Sequence, residues 1–176
     1  MNTASKRRTA KPASAPAPER KGPGFFMRQA IKLASASVRS NRGGPFGCVI
    51  VRRGKVIARG CNSVVPKSDP TAHAEVTAIR AACRALGTFR LSDCELYTSC
   101  EPCPMCLAAI YWARIPTVYY ASTRTDAAAI GFDDDLIYRQ IPLPPSRRSI
   151  AMRPLLRATA RKPFRDWILK SDKTPY

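Results

Sequence analysis

Apolar residues recur at helical spacing from residue 25 onward, where Phe26, Ala30, Leu33, Ala34 and Val38 share one face. The pattern runs out in Asn41-Arg42-Gly43-Gly44-Pro45. Two β-rich runs follow, 46–51 and 55–60, around the tight Arg53-Gly54 turn, and they read as a hairpin. Asp69-Pro70-Thr71 is expected to open a helix that turns Val76, Ile79, Ala82 and Cys83 inward and stops at Gly87. Cys94–Thr98 reads as a strand, and Pro102 opens a helix through Trp112 that ends at Arg114, ahead of Pro116. Thr117–Ala121 is another strand, Thr125–Ala129 a helix, Ile150–Leu156 a last strand and Phe164–Leu169 a last helix. This order predicts a three-layer α/β/α sandwich with a mixed central sheet. The first two strands should pair antiparallel, and the later ones, reached by helical crossovers, should run parallel.

Residues 1–24 carry no such pattern. They are rich in Ala, Pro, Ser and basic residues, a composition that cannot bury enough surface to fold, so a disordered tail is expected there and one domain over 25–176. The formal charge of +18 divides as +5 in residues 1–24, +5 in 25–138 and +8 in 139–176, so the excess sits at the two ends. Binding of nucleic acid through those ends is the weaker reading, because no aromatic residues interleave the N-terminal charges as a stacking platform requires. No apolar run approaches the roughly 18 residues of a membrane span, and the start lacks a secretory pattern. Seven cysteines, an odd number, argue against a disulfide framework and for reduced thiols in the cytoplasm, some of them on a metal.

The chemistry is carried by His73-Ala74-Glu75 and Pro102-Cys103-Pro104-Met105-Cys106. Together these match H-x-E…P-C-x-x-C, the signature of zinc deaminases acting on bases. Cys103 and Cys106 lie three positions apart at the start of a helix, so their sulfurs share a face, and a helix N-terminus favours the thiolate form. With the His73 imidazole they make three tetrahedral ligands and leave the fourth position for water, as a catalytic zinc site requires. Glu75, two residues past His73, is placed beside the ligand and toward that water, where it can pass a proton to a ring nitrogen and assist loss of ammonia. His73 is the sole histidine of the chain, and no G-x-S-x-G turn offers a serine nucleophile to use it. The competing arrangement is a closed structural site of Cys94, Cys100, Cys103 and Cys106, although such sites usually draw on two separated pairs. Cys48, Cys83 and Cys100 read as packing residues.

At these residues the chain resembles the guanine deaminases of the cytidine-deaminase-like superfamily. The resemblance extends over Gly43-Gly44-Pro45-Phe46-Gly47, residues 69–80 and 97–106, Tyr111-Trp112-Ala113-Arg114, Gly131-Phe132-Asp133-Asp134 and the terminal Tyr176, and so covers residue 25 to the end. It implies attack of water at C2 of guanine to give xanthine and ammonia. By position it implies that Asn62 hydrogen-bonds the purine, that Phe46 and Trp112 line or stack on it, and that the backbone at Ala74 orients it. It matches Asp134 to a carboxylate that helps move protons to the leaving amine, and Tyr176 to a residue that closes the pocket. It further implies a homodimer whose C-terminal segments are exchanged, with Tyr176 acting in the partner's site. From the residues alone, Phe46 and Trp112 equally suit a core, Asn62 suits a turn cap, and Asp133, Asp134 and Asp135 are not distinguished. Related deaminases of guanosine, cytosine or transfer-RNA adenosine are the alternative enzymes. A silent zinc protein that binds nucleic acid is the alternative outside enzymes, and Glu75 would have no use in it.

Overall fold

The computed structural model describes residues 22–132 and 134–175. The expected tail lies outside them except for its last three residues. Pro23 takes the first position of helix α1 (Pro23–Arg39), where its missing N–H breaks no hydrogen bond, so the helix opens two residues earlier than its apolar face suggested. Strands β1 (Gly47–Arg52) and β2 (Lys55–Cys61) form the predicted antiparallel hairpin. Strand β3 (Cys94–Cys100) pairs antiparallel with the other side of β1, and β4 (Thr117–Ser122) pairs parallel with β3. The order is therefore β2-β1-β3-β4. β1 alone runs against the other three, because a helical crossover joins β2 to β3 and β3 to β4.

Alternation along the central strands creates the layers. Val49, Val51 and Tyr97 meet Phe26 beneath α1. Cys48, Ile50 and Leu96 meet Ala78 and Ala82 of helix α3 (Ala74–Leu86) and Ile110 of helix α4 (Pro104–Trp112) on the opposite face. Two glycines permit both helices to lie directly on the sheet. A Cβ on Gly47 would fall 2.4 Å from the Ala30 carbonyl oxygen of α1, and one on Gly60 would fall 2.1 Å from that of Ala74 in α3. The three-layer α/β/α architecture expected from the sequence is thus present, with a four-stranded mixed sheet at its centre.

Several boundaries differ from expectation, each for a local reason. Asp69-Pro70-Thr71 does not open α3 but forms a turn, because the Asp69 carboxylate accepts from the Thr71 N–H at 2.8 Å and its hydroxyl at 2.6 Å. A one-turn helix α2 (Val64–Lys67) precedes it. Helix α4 begins at Pro104 instead of Pro102. Helix α5 (Arg124–Ala129) is closed at its start by a capping box of Thr123 and Asp126. Helix α6 (Asp135–Gln140) was not foreseen, and α7 (Arg157–Leu169) extends upstream through Pro163. The run 150–156 is not a strand, since no ladder partner lies beside it and Pro154 removes a donor from the run. Beyond Ile115 no described residue is buried, and Leu155, Phe164, Ile168 and Leu169 are among the most exposed apolar side chains.

Candidate active site

The two halves of the motif meet because each stands at a helix start. His73 is the N-cap of α3 and Cys103 the N-cap of α4, both with extended backbone, so the positive ends of two helices converge on one point. Cys106, in the first turn of α4, is fully buried. Its Sγ and that of Cys103 each lie 3.5 Å from His73 Nδ1. Zinc at the usual bond lengths in a tetrahedron would set sulfur and nitrogen ligands ~3.5 Å apart, so the donor set fits the ion without adjustment. Among the described residues these three form the metal-capable cluster, and Cys94 and Cys100 are not part of it. The four-cysteine alternative is thereby removed.

Electrostatics agree with the geometry. The hydrogen bond from Cys106 holds the Cys103 thiol well below its ordinary range, with His73 adding to the effect against the opposing cost of burial. The same shared proton, and then burial, push Cys106 up. His73 is raised chiefly by its contact with the Cys103 sulfur, with Asp134 among the smaller contributors. The cluster therefore carries protons between its sulfurs and imidazole that a metal would replace.

Glu75 stands in the first turn of α3 and is only 5% exposed. Burial raises its carboxyl above the ordinary value, partly offset by hydrogen bonds from Thr98 and Cys106. Thr98 donates to Oε1 at 2.7 Å and Cys106 Sγ donates to Oε2 at 3.3 Å. A carboxylate held beside the metal ligands, reluctant to stay charged, has the character of a proton carrier.

A cavity of about 620 Å³ opens over this cluster, lined by His73, Glu75 and Cys103 together with Phe46, Asn62 and Asp134. Asn62 is buried, 7% exposed, at the end of β2, and Phe46 meets Phe132 edge-on at 4.9 Å between ring centroids. Ala74 is fully buried and presents its carbonyl to Gly60. Trp112 is a correction: it lies at the end of α4, 62% exposed, and lines a separate groove with Pro163, Phe164 and Trp167. It does not reach the cavity of its own chain. Tyr176 and Asp133 lie outside the described residues. Sequence reasoning gave no role to Thr98, Ser99, Arg124 or Phe132. Thr98 could have been found from alternation along β3, which turns it to the same face as Leu96 and hence toward α3. Arg124, whose guanidinium stacks 4.7 Å from the Tyr138 ring centroid, had no signal, since only the folded chain brings it to the cavity wall.

A mixed sheet with two helix N-termini presenting one imidazole, two thiols and a buried glutamate defines a zinc-dependent deaminase. Residues 23–122 match the cytidine and deoxycytidylate deaminase zinc-binding region, and the chain belongs to that family. Its likeness to one branch is much longer. It is 52% identical over 151 residues to guanine deaminase of Bacillus subtilis, covering 86% of this chain and 97% of that protein. The crystal structure of the Bacillus subtilis enzyme superposes with a TM-score of 0.86 at 50% identity, over 89% of this chain and 99% of that one. A guanine deaminase from Nitrosomonas europaea superposes with a TM-score of 0.62 at 38% identity, over 64% of this chain and 65% of that one. The tRNA-specific adenosine deaminase of Aquifex aeolicus is 41% identical over 101 residues, 57% of this chain and 66% of that protein.

Proposed function

We propose that this chain deaminates guanine, converting guanine and water to xanthine and ammonia. The observation that carries this reading is the 52% identity that runs along 97% of a guanine deaminase and continues past the zinc motif. The likeness to a tRNA deaminase covers only 57% of the chain. Zinc held by His73, Cys103 and Cys106 would supply Lewis acidity that makes a water nucleophilic near neutral pH.

The remaining work falls to side chains of the cavity. Asn62 hydrogen-bonds the polar edge of the purine, while Phe46, braced by Phe132, packs on its face. Glu75 accepts the proton of the attacking water and delivers it to a ring nitrogen. The second proton reaches the exocyclic amine, with Asp134 on the cavity wall assisting, and ammonia leaves.

The chain acts as a homodimer in this reading. The C-terminal segment is incomplete by itself, because α7 buries none of its residues and exposes Phe164, Ile168 and Leu169. The outer edge of β4 is also unpaired in the described sheet, and Tyr119 and Tyr120 on that strand are exposed. Exchange of residues 139–176 between two copies would cover both surfaces and bring Tyr176 to the partner's cavity. Among the described residues no helix is long and apolar enough to cross a membrane. In this reading the two thiol ligands suit the reducing cytoplasm, and the reaction itself belongs to purine catabolism or salvage.

The test is to incubate the zinc-loaded protein with guanine, guanosine, adenine, cytosine and an adenosine-containing anticodon stem, and to measure ammonia. Turnover of guanine alone is expected. Turnover of the RNA alone would replace the proposal with the tRNA reading.

A further inference from the structure

We infer that Thr98 is a positioning residue for deamination, fixing which oxygen of Glu75 faces the reacting water. The inference rests on Glu75 as the proton carrier.

The geometry is specific. Thr98 lies on β3, fully buried, with Cys48 of β1 opposite it on one side and Tyr120 of β4 on the other. Its backbone is therefore held by ladders on both sides, and its β-branched side chain has little rotamer freedom. Its hydroxyl donates to Glu75 Oε1 at 2.7 Å, the usual length of a good O–H···O bond, and does so out of contact with water. Glu75 Oε2 faces the other way, toward Cys106 Sγ and the metal ligands. One carboxylate oxygen is thus committed to the sheet and the other to the chemistry. A glutamate has three side-chain torsions, and the Thr98 hydroxyl is the side-chain donor that meets Oε1. Without the hydroxyl the carboxylate can rotate, and the fraction of time it spends aligned for proton transfer falls.

The next residue of the strand braces a different part of the cavity. Ser99, on the opposite face, accepts from the Gly47 N–H at 3.0 Å and donates to the Pro45 carbonyl at 3.4 Å, bracing the turn that carries Phe46. Thr98 alone of these touches the proton carrier.

The experiment compares Thr98→Val, which keeps the shape and removes the hydroxyl, with Thr98→Ser, which keeps the hydroxyl. We expect kcat for guanine to fall at least tenfold in the valine variant, with KM and zinc content within twofold of wild type, and to recover in the serine variant. An infrared difference spectrum between wild type and Glu75→Gln isolates the Glu75 carboxyl band. That band should shift in Thr98→Val and return in Thr98→Ser. A kcat within twofold of wild type, an unshifted band, or a parallel loss of zinc would overturn the positioning role. Should the valine variant not fold, Thr98→Ser is compared with Thr98→Ala, and equal kcat in the two has the same consequence. Full activity of Glu75→Gln would instead remove the proton-carrier assignment, a distinct failure.

Discussion

Gly60 lies against Ala74 so closely that a single added methyl would meet the Ala74 carbonyl oxygen at 2.1 Å. The contact joins the end of β2 to the first residue of α3, between His73 and Glu75 in sequence. The height of the helix start above the sheet, and so the placement of both functional side chains, depends on a residue without one.

Gly60→Ala should therefore damage the site more than the fold. Overpacking of this kind costs about 1–3 kcal/mol. We expect weaker zinc retention against a chelator and a kcat reduced at least tenfold, measured beside the melting temperature of the zinc-loaded protein. A variant that melts lower but keeps zinc and kcat would show that the helix start can shift without consequence.

Zinc binding should release protons in a pH-dependent number. Cys103 is held in the thiolate form, Cys106 retains its proton, and His73 is raised, so below its raised range the imidazole also carries one. More protons per zinc are expected at low pH, where the imidazole is charged, than at high pH, where it is neutral and Cys106 still supplies one. Calorimetry in buffers of different ionisation enthalpy measures the number directly, and a count that rises with pH would contradict this order of protonation.

Glu75→Gln should abolish turnover, by about 10²–10⁴-fold, while zinc stays bound. The same change should stabilise the metal-free protein at neutral pH. Burial raises the Glu75 carboxyl above its unfolded value, so its contribution to stability is fully present below that value and is lost as pH rises through the folded one. Urea titrations of the chelated proteins should find wild type and variant similar near pH 4.5 and the variant more stable at pH 8. His73, Cys48, Cys100 and Cys106 each feel the Glu75 charge, so the difference reports Glu75 together with its coupling to them.

Ser99→Ala should affect substrate binding and leave the chemical step alone. It removes the bonds to Gly47 and Pro45 that brace the turn carrying Phe46. We expect KM for guanine to rise about threefold or more, in keeping with loss of roughly one net hydrogen bond, with kcat nearly unchanged. A fall in kcat at constant KM would place Ser99 with Thr98 instead.

Phe164→Glu combined with Ile168→Glu should convert a dimer to a monomer in light scattering. Both side chains project from α7, 73% and 69% exposed in the isolated chain. Burying them between copies is worth ~1.5–3 kcal/mol each, which two carboxylates would reverse. A wild-type protein that is already monomeric would end the dimer reading.

What the sequence determined by itself was the reaction and the layer architecture. H-x-E and P-C-x-x-C are local spacings, each placed by one helix start, and it is their joint match to a two-part signature that made it legible that His73, Cys103 and Cys106 can share an ion. The strand runs 46–51 and 94–98 were likewise legible locally, and the fold divides their buried side chains between two faces. α3 and α4 start four and two residues past Pro70 and Pro102, because a proline marks only where a helix can begin; at α3 the Asp69–Thr71 bonds hold the chain in a turn first. Trp112 is assigned to the pocket by resemblance alone; which surface it lines depends on where the far end of α4 lies, and within this chain it lies outside the cavity wall. Only the tertiary structure could decide that 150–156 lacks a ladder partner, that Arg124 reaches the cavity, and that Thr98 holds Glu75. Each of these is a contact between residues more than 20 positions apart, or the lack of one. Such contacts depend on how helices and strands are stacked, and no local pattern encodes that.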